Sequence, residues 1–211
     1  MKIMTEEEIS AIKEDLLSNK SVKRRSAAKK IGKSKIKSLE QLLLDAYIKE
    51  REDSRTWETQ TEMIKALGKL DCKAAIPYLK EIVDINKDED TITAYAALSY
   101  IRLTRNDVND MTVILDFLKN GNAMVFSGAV MAMAYDDVIP TEPEMKKVLE
   151  ILNKRKSVYD RPFSNPIQRI ISAMHKWPNE LIMPFLNQYK DMPQYTHCVE
   201  NTLAGKRSCR E

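Results

Sequence analysis

Residues 62–83 read EMIKALGKLDCKAAIPYLKEIV and contain the end of one amphipathic helix, a tight turn and the start of the next helix. Apolar side chains recur at helical spacing on both sides of the turn: first Met63, Ile64, Leu67 and Leu70, then Ala75, Ile76, Leu79, Ile82 and Val83. Gly68 and Asp71 weaken the end of the first helix, and Pro77 fits the first turn of the second, where a missing N–H costs little. The stretch therefore predicts a helical hairpin junction.

The same alternation of helix and turn continues along the chain and predicts twelve helices that pair into six hairpins. Thr5 followed by Glu8 is a capping box that opens the first helix. The second helices can be superposed at a spacing of about 35 residues, which is typical of helical repeat arrays. This superposition makes six apolar positions equivalent: Ile31, Leu67, Ile101, Met133, Met174 and Leu203. One hairpin cannot bury its apolar stripe alone, so stacking of neighbours is expected to form the core.

The run Ala66-Leu67-Gly68, Leu70, Ala75-Ile76-Pro77 and Leu79 resembles the junction between repeats of the HEAT-like (PBS-lyase-type) helical repeat family. The resemblance covers about residues 20–105 and is weaker afterwards. It implies an all-α fold, an α-solenoid of about six HEAT-like helical hairpins. Residues 1–205 would form a single helical-repeat domain, and residues 206–211 a frayed C-terminal tail. In such arrays the second helices line a concave surface that binds other molecules.

Composition agrees with a helical protein that has a substantial core. Of the 211 residues, 43% are hydrophobic and 31% are charged, with a formal net charge of +3. Only 5 glycines and 8 prolines interrupt a chain rich in helix-forming residues. The longest apolar run, Ala123–Tyr135, is too short to cross a bilayer, and no signal peptide is visible at the N-terminus. We therefore expect a cytoplasmic protein with no membrane partner.

The clearest charge feature is a basic block between Lys20 and Lys37, which contains nine basic residues and no acidic one. The candidate partner-binding residues are the lysines that a helical wheel turns away from the core: Lys23, Lys29, Lys30 and Lys33. Such a patch favours an acidic protein surface or nucleic acid. The alternative is a solvated helix face that is balanced by the acidic first helix. Duplex DNA is disfavoured, because the hairpins that follow mix charges of both signs.

No segment carries a complete catalytic or metal-binding motif. Residues 84–88 begin like an EF-hand loop, but Glu89 stands where glycine is required and Tyr95 where glutamate is required. We interpret this segment as a turn in which Asp90 or Thr91 caps the next helix. The histidines and cysteines of the C-terminal half are not spaced as in a zinc-binding motif: His175, His197, Cys198 and Cys209. The sequence predicts no catalytic residue, no metal and no cofactor.

An enzymatic alternative comes from a second resemblance. Alkylpurine DNA glycosylases built from HEAT-like repeats are of similar size and use a carboxylate and tryptophans in a basic concave groove. Asp136 and Asp137 are the candidate carboxylates in this chain, and no further motif residue matches. We interpret Trp57 and Trp177 as core or hairpin-packing residues. A cluster of methionines is interpreted as core, with an adaptable binding surface as the alternative: Met111, Met124, Met131, Met133 and Met145.

These patterns favour a non-enzymatic repeat protein that binds a protein partner in an adaptor, regulatory or immunity-type role. The alternative is a nucleic-acid-binding protein or a glycosylase that uses a basic groove. The two hypotheses differ in the expected surface. A continuous basic groove favours nucleic acid, whereas a groove of mixed charge with apolar patches favours a protein.

Overall fold

The computed structural model describes residues 4–161, 166–209 and 211. Within these residues the chain forms thirteen α-helices and no strand. The helices are α1 (Glu6–Leu16), α2 (Ser21–Ser34), α3 (Glu40–Glu50), α4 (Trp57–Lys69), α5 (Ile76–Ile85), α6 (Thr91–Thr104), α7 (Thr112–Asn120), α8 (Ala123–Tyr135), α9 (Glu142–Lys154), α10 (Lys156–Tyr159), α11 (Ile167–Ala173), α12 (Asn179–Leu186) and α13 (Pro193–Leu203). The predicted all-α class is confirmed. The short helix α10 is the one that is not among the twelve helices predicted from the sequence.

The helices form two compact units. The first unit extends to Ile85 and includes Asp90–Thr104, so it contains α1 to α6. The second unit consists of Asn86–Glu89 and the chain from Arg105 onward, with α7 to α13. Each unit has its own buried apolar core. No helix in the described parts of either unit combines the length and the apolar character needed to cross a membrane.

The first unit is built around three helices that pack side by side, α2 against α4 and α4 against α6. Helix α1 packs on α2, α3 packs on α4, and α5 packs on α6. Ile31, Leu67 and Ile101, the superposed positions of the three central helices, are fully buried. The periodicity of the sequence therefore locates the core of this unit.

Small residues allow the three central helices to approach closely. A Cβ atom at Gly32 would lie 3.0 Å from Cα of Ala66, and a Cβ atom at Gly68 would lie 2.6 Å from Oγ of Ser99. The hydroxyl of Ser99 also donates a hydrogen bond of 3.0 Å to the Ile64 carbonyl. Helix α4 continues through Gly68 to its last residue, Lys69. Gly68 therefore serves helix packing rather than helix termination.

The turns that follow α2 and α4 repeat each other in detail. Lys35 and Asp71 occupy the same place in the two turns, and both have positive φ angles, 50° and 56°. A 3-10 turn follows each of them before α3 or α5 begins. Lys37 and Lys73 then donate Nζ hydrogen bonds of 2.7 Å to carbonyl oxygens at the ends of α4 and α6, respectively. Each turn is thereby fastened to the next central helix.

The second unit has α8 at its centre. Every residue of α8 from Ala123 to Ala134 is buried, so this helix is enclosed on all sides. Its neighbours are α7, α10 and α11, while α13 packs on α11 and α9 contacts α7 and α12. The five clustered methionines and Trp177 are buried, which confirms their interpretation as core residues.

The described part of the C-terminal segment makes hydrogen bonds within the second unit. Arg207 donates from Nη1 to the Tyr135 carbonyl at 3.1 Å. The N–H groups of Ser208 and Cys209 both donate to Oγ of Ser172, at 3.0 Å and 2.9 Å. Ser172 is fully buried. The segment predicted to be a frayed tail is therefore in contact with α8 and α11.

Candidate functional site

The four lysines predicted to bind a partner, Lys23, Lys29, Lys30 and Lys33, are all exposed on α2. They form two stripes. Lys23 and Lys30 face α1, where their Nζ atoms lie 3.4 Å and 4.0 Å from carboxylate oxygens of Asp15. Lys29 and Lys33 lie about 90° further around the helix, at 3.6 residues per turn. Neither forms an ion pair within the described residues.

Much of the remaining basic block is neutralised inside the first unit. Three of its members pair with glutamates of α3 and α4: Arg24 with Glu50, Arg25 with Glu58 and Lys37 with Glu40. In the described structure, unpaired positive charge of the block is left on Lys20, Lys29, Lys33 and Lys35. This distribution differs from the continuous basic groove that a nucleic-acid duplex would require.

A groove of about 600 Å³ crosses the N-terminal halves of α2, α4 and α6 within the first unit. We name it the α2–α4–α6 groove. Val22, Trp57 and Tyr95 supply its apolar surface, and Lys29 supplies an unpaired cation. Val22 is 65% exposed and Trp57 is 48% exposed. Of the four predicted lysines, Lys29 is therefore the one that lines this groove.

The exposure of Trp57 corrects the prediction that it is a core residue. A helical wheel places Trp57 within about 20° of the buried Ile64, so the angle alone predicts that Trp57 points toward the core. Trp57 is, however, the first residue of α4, just as Val22 lies in the first turn of α2. Thr59 and Gln60 of the first turn of α4 are buried, whereas the side chains of Val22 and Trp57 are not covered. A signal was present in the sequence, since an apolar residue, Val22 or Trp57, stands near the start of each of two equivalent helices.

Polar contacts between the central helices form the walls of the groove. Arg25 of α2 pairs with Glu58 of α4. Lys65 pairs with Glu62 at 2.9 Å, and its Nζ also lies 5.1 Å from the centre of the Tyr95 ring, which joins α4 to α6. Arg25 and Lys65 are thus paired with carboxylates of the groove, so Lys29 is the cation that remains available to a ligand at this site.

The groove combines a half-exposed indole, an aliphatic side chain and an unpaired ammonium group. Tryptophan is enriched at the energetic centres of protein interfaces, because it buries a large area with little loss of conformational freedom. An ammonium group beside it attracts a carboxylate and helps to fix the orientation of a partner. The arrangement is therefore suited to a segment of protein that carries an apolar side chain next to an acidic one.

The two candidate catalytic carboxylates follow α8 in the second unit. Asp136 is ion-paired with Arg105 at 2.9 Å, whereas Asp137 is paired with Lys176 at 2.5 Å and lies 3.0 Å from Nε2 of His175. The hydrogen bond from Lys176 holds the pKa of Asp137 below its ordinary value, against the opposing effect of partial burial. Such a carboxylate is a poor proton acceptor near neutral pH. The geometry favours a role in joining the ends of α8 and α11.

No group of three or more histidine, cysteine or carboxylate side chains in the described parts of the chain is arranged to hold a metal ion. In the segment that begins like an EF-hand loop, Oδ2 of Asp88 lies 3.6 Å from Nη1 of Arg161. Asp90 accepts hydrogen bonds from the N–H and the hydroxyl of Thr93, at 3.2 Å and 2.7 Å. Of the two residues predicted to cap the following helix, Asp90 and Thr91, Asp90 is therefore the one that does so.

Comparison of the chain with family models, with curated proteins and with solved structures gave no match. The resemblance to HEAT-like repeats accordingly stays an expectation from the sequence. The function is inferred from the contacts and charges of the α2–α4–α6 groove.

Proposed function

We propose that this chain is a non-enzymatic HEAT-like repeat protein that binds a protein partner through the concave face of its central helices, in an adaptor, regulatory or immunity-type role. The side-by-side packing of α2, α4 and α6 supports the repeat arrangement. So does the turn that recurs after α2 and α4, with Lys35 equivalent to Asp71 and Lys37 equivalent to Lys73. We extend the same arrangement to about six hairpins as a solenoid.

The observation that carries the proposal is the exposure of Trp57 at the α2–α4–α6 groove, beside Val22 and Lys29. A tryptophan that is 48% exposed leaves apolar surface in water, which a partner would remove. Scattered exposed apolar residues need no special explanation, but these two share one groove with an unpaired lysine. That combination supports a binding surface.

The charges of the groove favour an acidic partner of limited size. Lys29 and Lys33 lie on one stripe of α2 and are free to meet carboxylates. Lys23 and Lys30 share Asp15, so their contribution to a partner is partly cancelled. Of the four predicted lysines, we therefore assign the principal role to Lys29 and Lys33 and a smaller one to Lys23 and Lys30.

Photo-crosslinking from the groove tests this proposal. A photoreactive amino acid replaces Ser26, which is exposed at the groove, or Ala74, which is exposed in the turn before α5 and serves as the control. We expect position 26 to crosslink one protein in an extract of the source cells, and position 74 to give no such product. The crosslink should be lost when Trp57→Ala, or Lys29→Glu with Lys33→Glu, is added.

Equal crosslinking from both positions would contradict the proposal, and so would a product from position 26 that survives all three substitutions. The folded state of each variant is checked by circular dichroism. Because Trp57, Lys29 and Lys33 are exposed or half-exposed, their replacement is expected to leave the helical signal unchanged.

A further inference from the structure

Two of the three cysteines, Cys198 of α13 and Cys209 of the segment after it, share one hydrogen-bond acceptor in the second unit. Their Sγ atoms lie 3.3 Å and 3.7 Å from one acceptor, the carbonyl oxygen of Gln168. Because both sulfur atoms reach the same oxygen, they are at most 7.0 Å apart, although the two cysteines are eleven positions apart in the sequence. Cys72, the third cysteine, is buried in the first unit.

Hydrogen bonds of the segment that carries Cys209 hold the two thiols together. The buried hydroxyl of Ser172 accepts hydrogen bonds from the N–H groups of Ser208 and Cys209, at 3.0 Å and 2.9 Å. Nδ2 of Asn201 donates to Oγ of Ser208 at 3.1 Å, and the Lys206 N–H donates to the Asn201 carbonyl at 2.8 Å. The segment is thus fixed against α11 and α13, and the fold itself brings the thiols together.

The two thiols differ in their access to solvent. Cys198 is 6% exposed, and burial raises the pKa of its thiol. Cys209 is partly exposed, so a small oxidant in water reaches its sulfur first. A partly exposed thiol with a second thiol beside it is the arrangement in which a sulfenic acid is captured as a disulfide.

We propose that Cys198 and Cys209 form a reversible intramolecular disulfide when hydrogen peroxide oxidises Cys209. The Cys209 thiolate attacks the peroxide: an S–O bond forms, the O–O bond breaks, and hydroxide leaves and takes up the proton that the thiol had lost. The Cys198 sulfur then attacks the sulfenic sulfur: the S–S bond forms, the S–O bond breaks, and water leaves with the Cys198 proton. Two thiols lose two electrons in total, and one peroxide is reduced to two waters.

The disulfide would tie the C-terminal segment to α13 by a covalent bond. The loop that it closes contains Ser208, whose N–H is bound to Ser172. The expected consequence is slower exchange of the amide hydrogens of this segment in the oxidised protein, because the segment can no longer open freely. A dithiol reductant breaks the bond and restores the faster exchange.

Peptide mapping of the full chain tests the proposal. The protein is treated with hydrogen peroxide, remaining thiols are alkylated in denaturant, and the chain is digested with trypsin without reduction. Trypsin cleaves after Lys190, Lys206, Arg207 and Arg210, so the two cysteines fall into separate peptides, 191–206 and 208–210. We expect these peptides to appear joined, lighter by two hydrogen atoms than their sum, and to separate on reduction.

Four variants sharpen the test. Cys72→Ser should keep the linked peptides, whereas Cys198→Ser and Cys209→Ser should each lose them. Ser172→Ala removes the hydroxyl that anchors the segment and should slow disulfide formation by roughly fivefold, the effect of losing a net hydrogen bond. The proposal is overturned if peroxide converts Cys209 to a sulfinic acid while Cys198 remains alkylatable, or if the disulfide joins two chains.

Discussion

Arg24 of α2 and Glu50 of α3 form a two-point ion pair in the first unit. Nε of Arg24 lies 2.5 Å from Oε2 of Glu50, and Nη2 lies 2.8 Å from Oε1. Glu50 is 5% exposed, and Nη1 of Arg24 donates at 2.8 Å to the carbonyl of Ser18, just after α1. One guanidinium group therefore links the first three helices, and Arg24 does not line the α2–α4–α6 groove.

Removal of Glu50 should destabilise the first unit strongly. Glu50→Ala leaves Arg24 partly buried without its carboxylate, so we expect the free energy of unfolding to fall by about 3 kcal/mol. Urea denaturation followed by circular dichroism measures the change. Glu52→Ala, at an exposed position two residues further on, is the control and should change stability by less than about 0.5 kcal/mol. Equal effects of the two substitutions would show that the Arg24–Glu50 pair does not stabilise the unit.

The close approach of α4 and α6 predicts that Gly68 tolerates no larger residue. Gly68→Ala would place a methyl group 2.6 Å from Oγ and 2.8 Å from Cβ of Ser99, so the helices must separate. We expect a loss of about 1–3 kcal/mol of stability, as for other overpacked sites. A double-mutant cycle with Ser99→Gly should give a coupling energy of at least about 1 kcal/mol, because the second change restores space. Strict additivity of the two changes would contradict this packing.

Leu67 and Trp57 lie on the same helix and should respond differently to truncation. Leu67 is fully buried, so Leu67→Ala should cost about 2–5 kcal/mol through lost packing and a residual cavity. Trp57→Ala should change stability by less than about 1 kcal/mol, because Trp57 is half-exposed. Denaturation midpoints of the two variants measured side by side decide the matter. A cost below about 0.5 kcal/mol for Leu67→Ala would mean that its helix face is misassigned.

The ion pairs of Asp137 predict a dependence of stability on pH in the second unit. Its pKa is lowered in the folded state, first by the hydrogen bond from Lys176 and also by the charges of Lys176, His175 and Arg207. A carboxyl group with a depressed pKa stabilises the fold at pH values above its ordinary pKa of 3.8, which applies in the unfolded chain. That contribution is lost as the pH falls through the lower pKa of the folded state.

The measurement compares the parent protein with Asp137→Asn in urea between pH 3 and pH 7. The difference in stability should be largest in the upper part of this range and should shrink toward pH 3, because Asp137 of the unfolded parent chain, with its ordinary pKa of 3.8, then takes up a proton. A difference that is constant over the whole range would exclude ionisation of Asp137 as its cause.

The mixed charge of the α2–α4–α6 groove predicts weak binding to duplex DNA. Glu58 and Glu62 lie in the groove, and Lys29 is the unpaired lysine among the residues that line it. We expect a dissociation constant on the order of 10⁻⁵ M or weaker near physiological salt, by fluorescence anisotropy with a labelled duplex. Tight binding with a steep salt dependence would favour the nucleic-acid alternative, provided that charge reversal makes the salt dependence shallower. The charge reversal replaces four lysines with glutamate: Lys23, Lys29, Lys30 and Lys33.

The local sequence pattern was sufficient to predict the helices and most of the core residues. The capping box of Thr5 and Glu8 forms as predicted, with hydrogen bonds of 2.9 Å and 3.2 Å between each side chain and the other residue's backbone N–H. Of the six superposed apolar positions, five are buried and Leu203 is half-buried. Helical period and capping depend on residues within a few positions of one another, so they can be deduced from the sequence alone.

Neighbours from distant parts of the chain decided the rest. Lys23 and Lys29 are both predicted from the sequence to be exposed lysines of α2. They differ in the structure because Asp15 of α1 forms an ion pair with Lys23 and not with Lys29. Trp57 and Ile64 have nearly the same position on a helical wheel. Trp57 is nevertheless half-exposed, because no neighbouring element covers its side chain. The approach of Cys198 to Cys209 likewise depends on the fold of the segment between them. A helical wheel gives the direction of a side chain, whereas exposure, charge pairing and thiol contact depend on which other element reaches it, and that is fixed by tertiary packing.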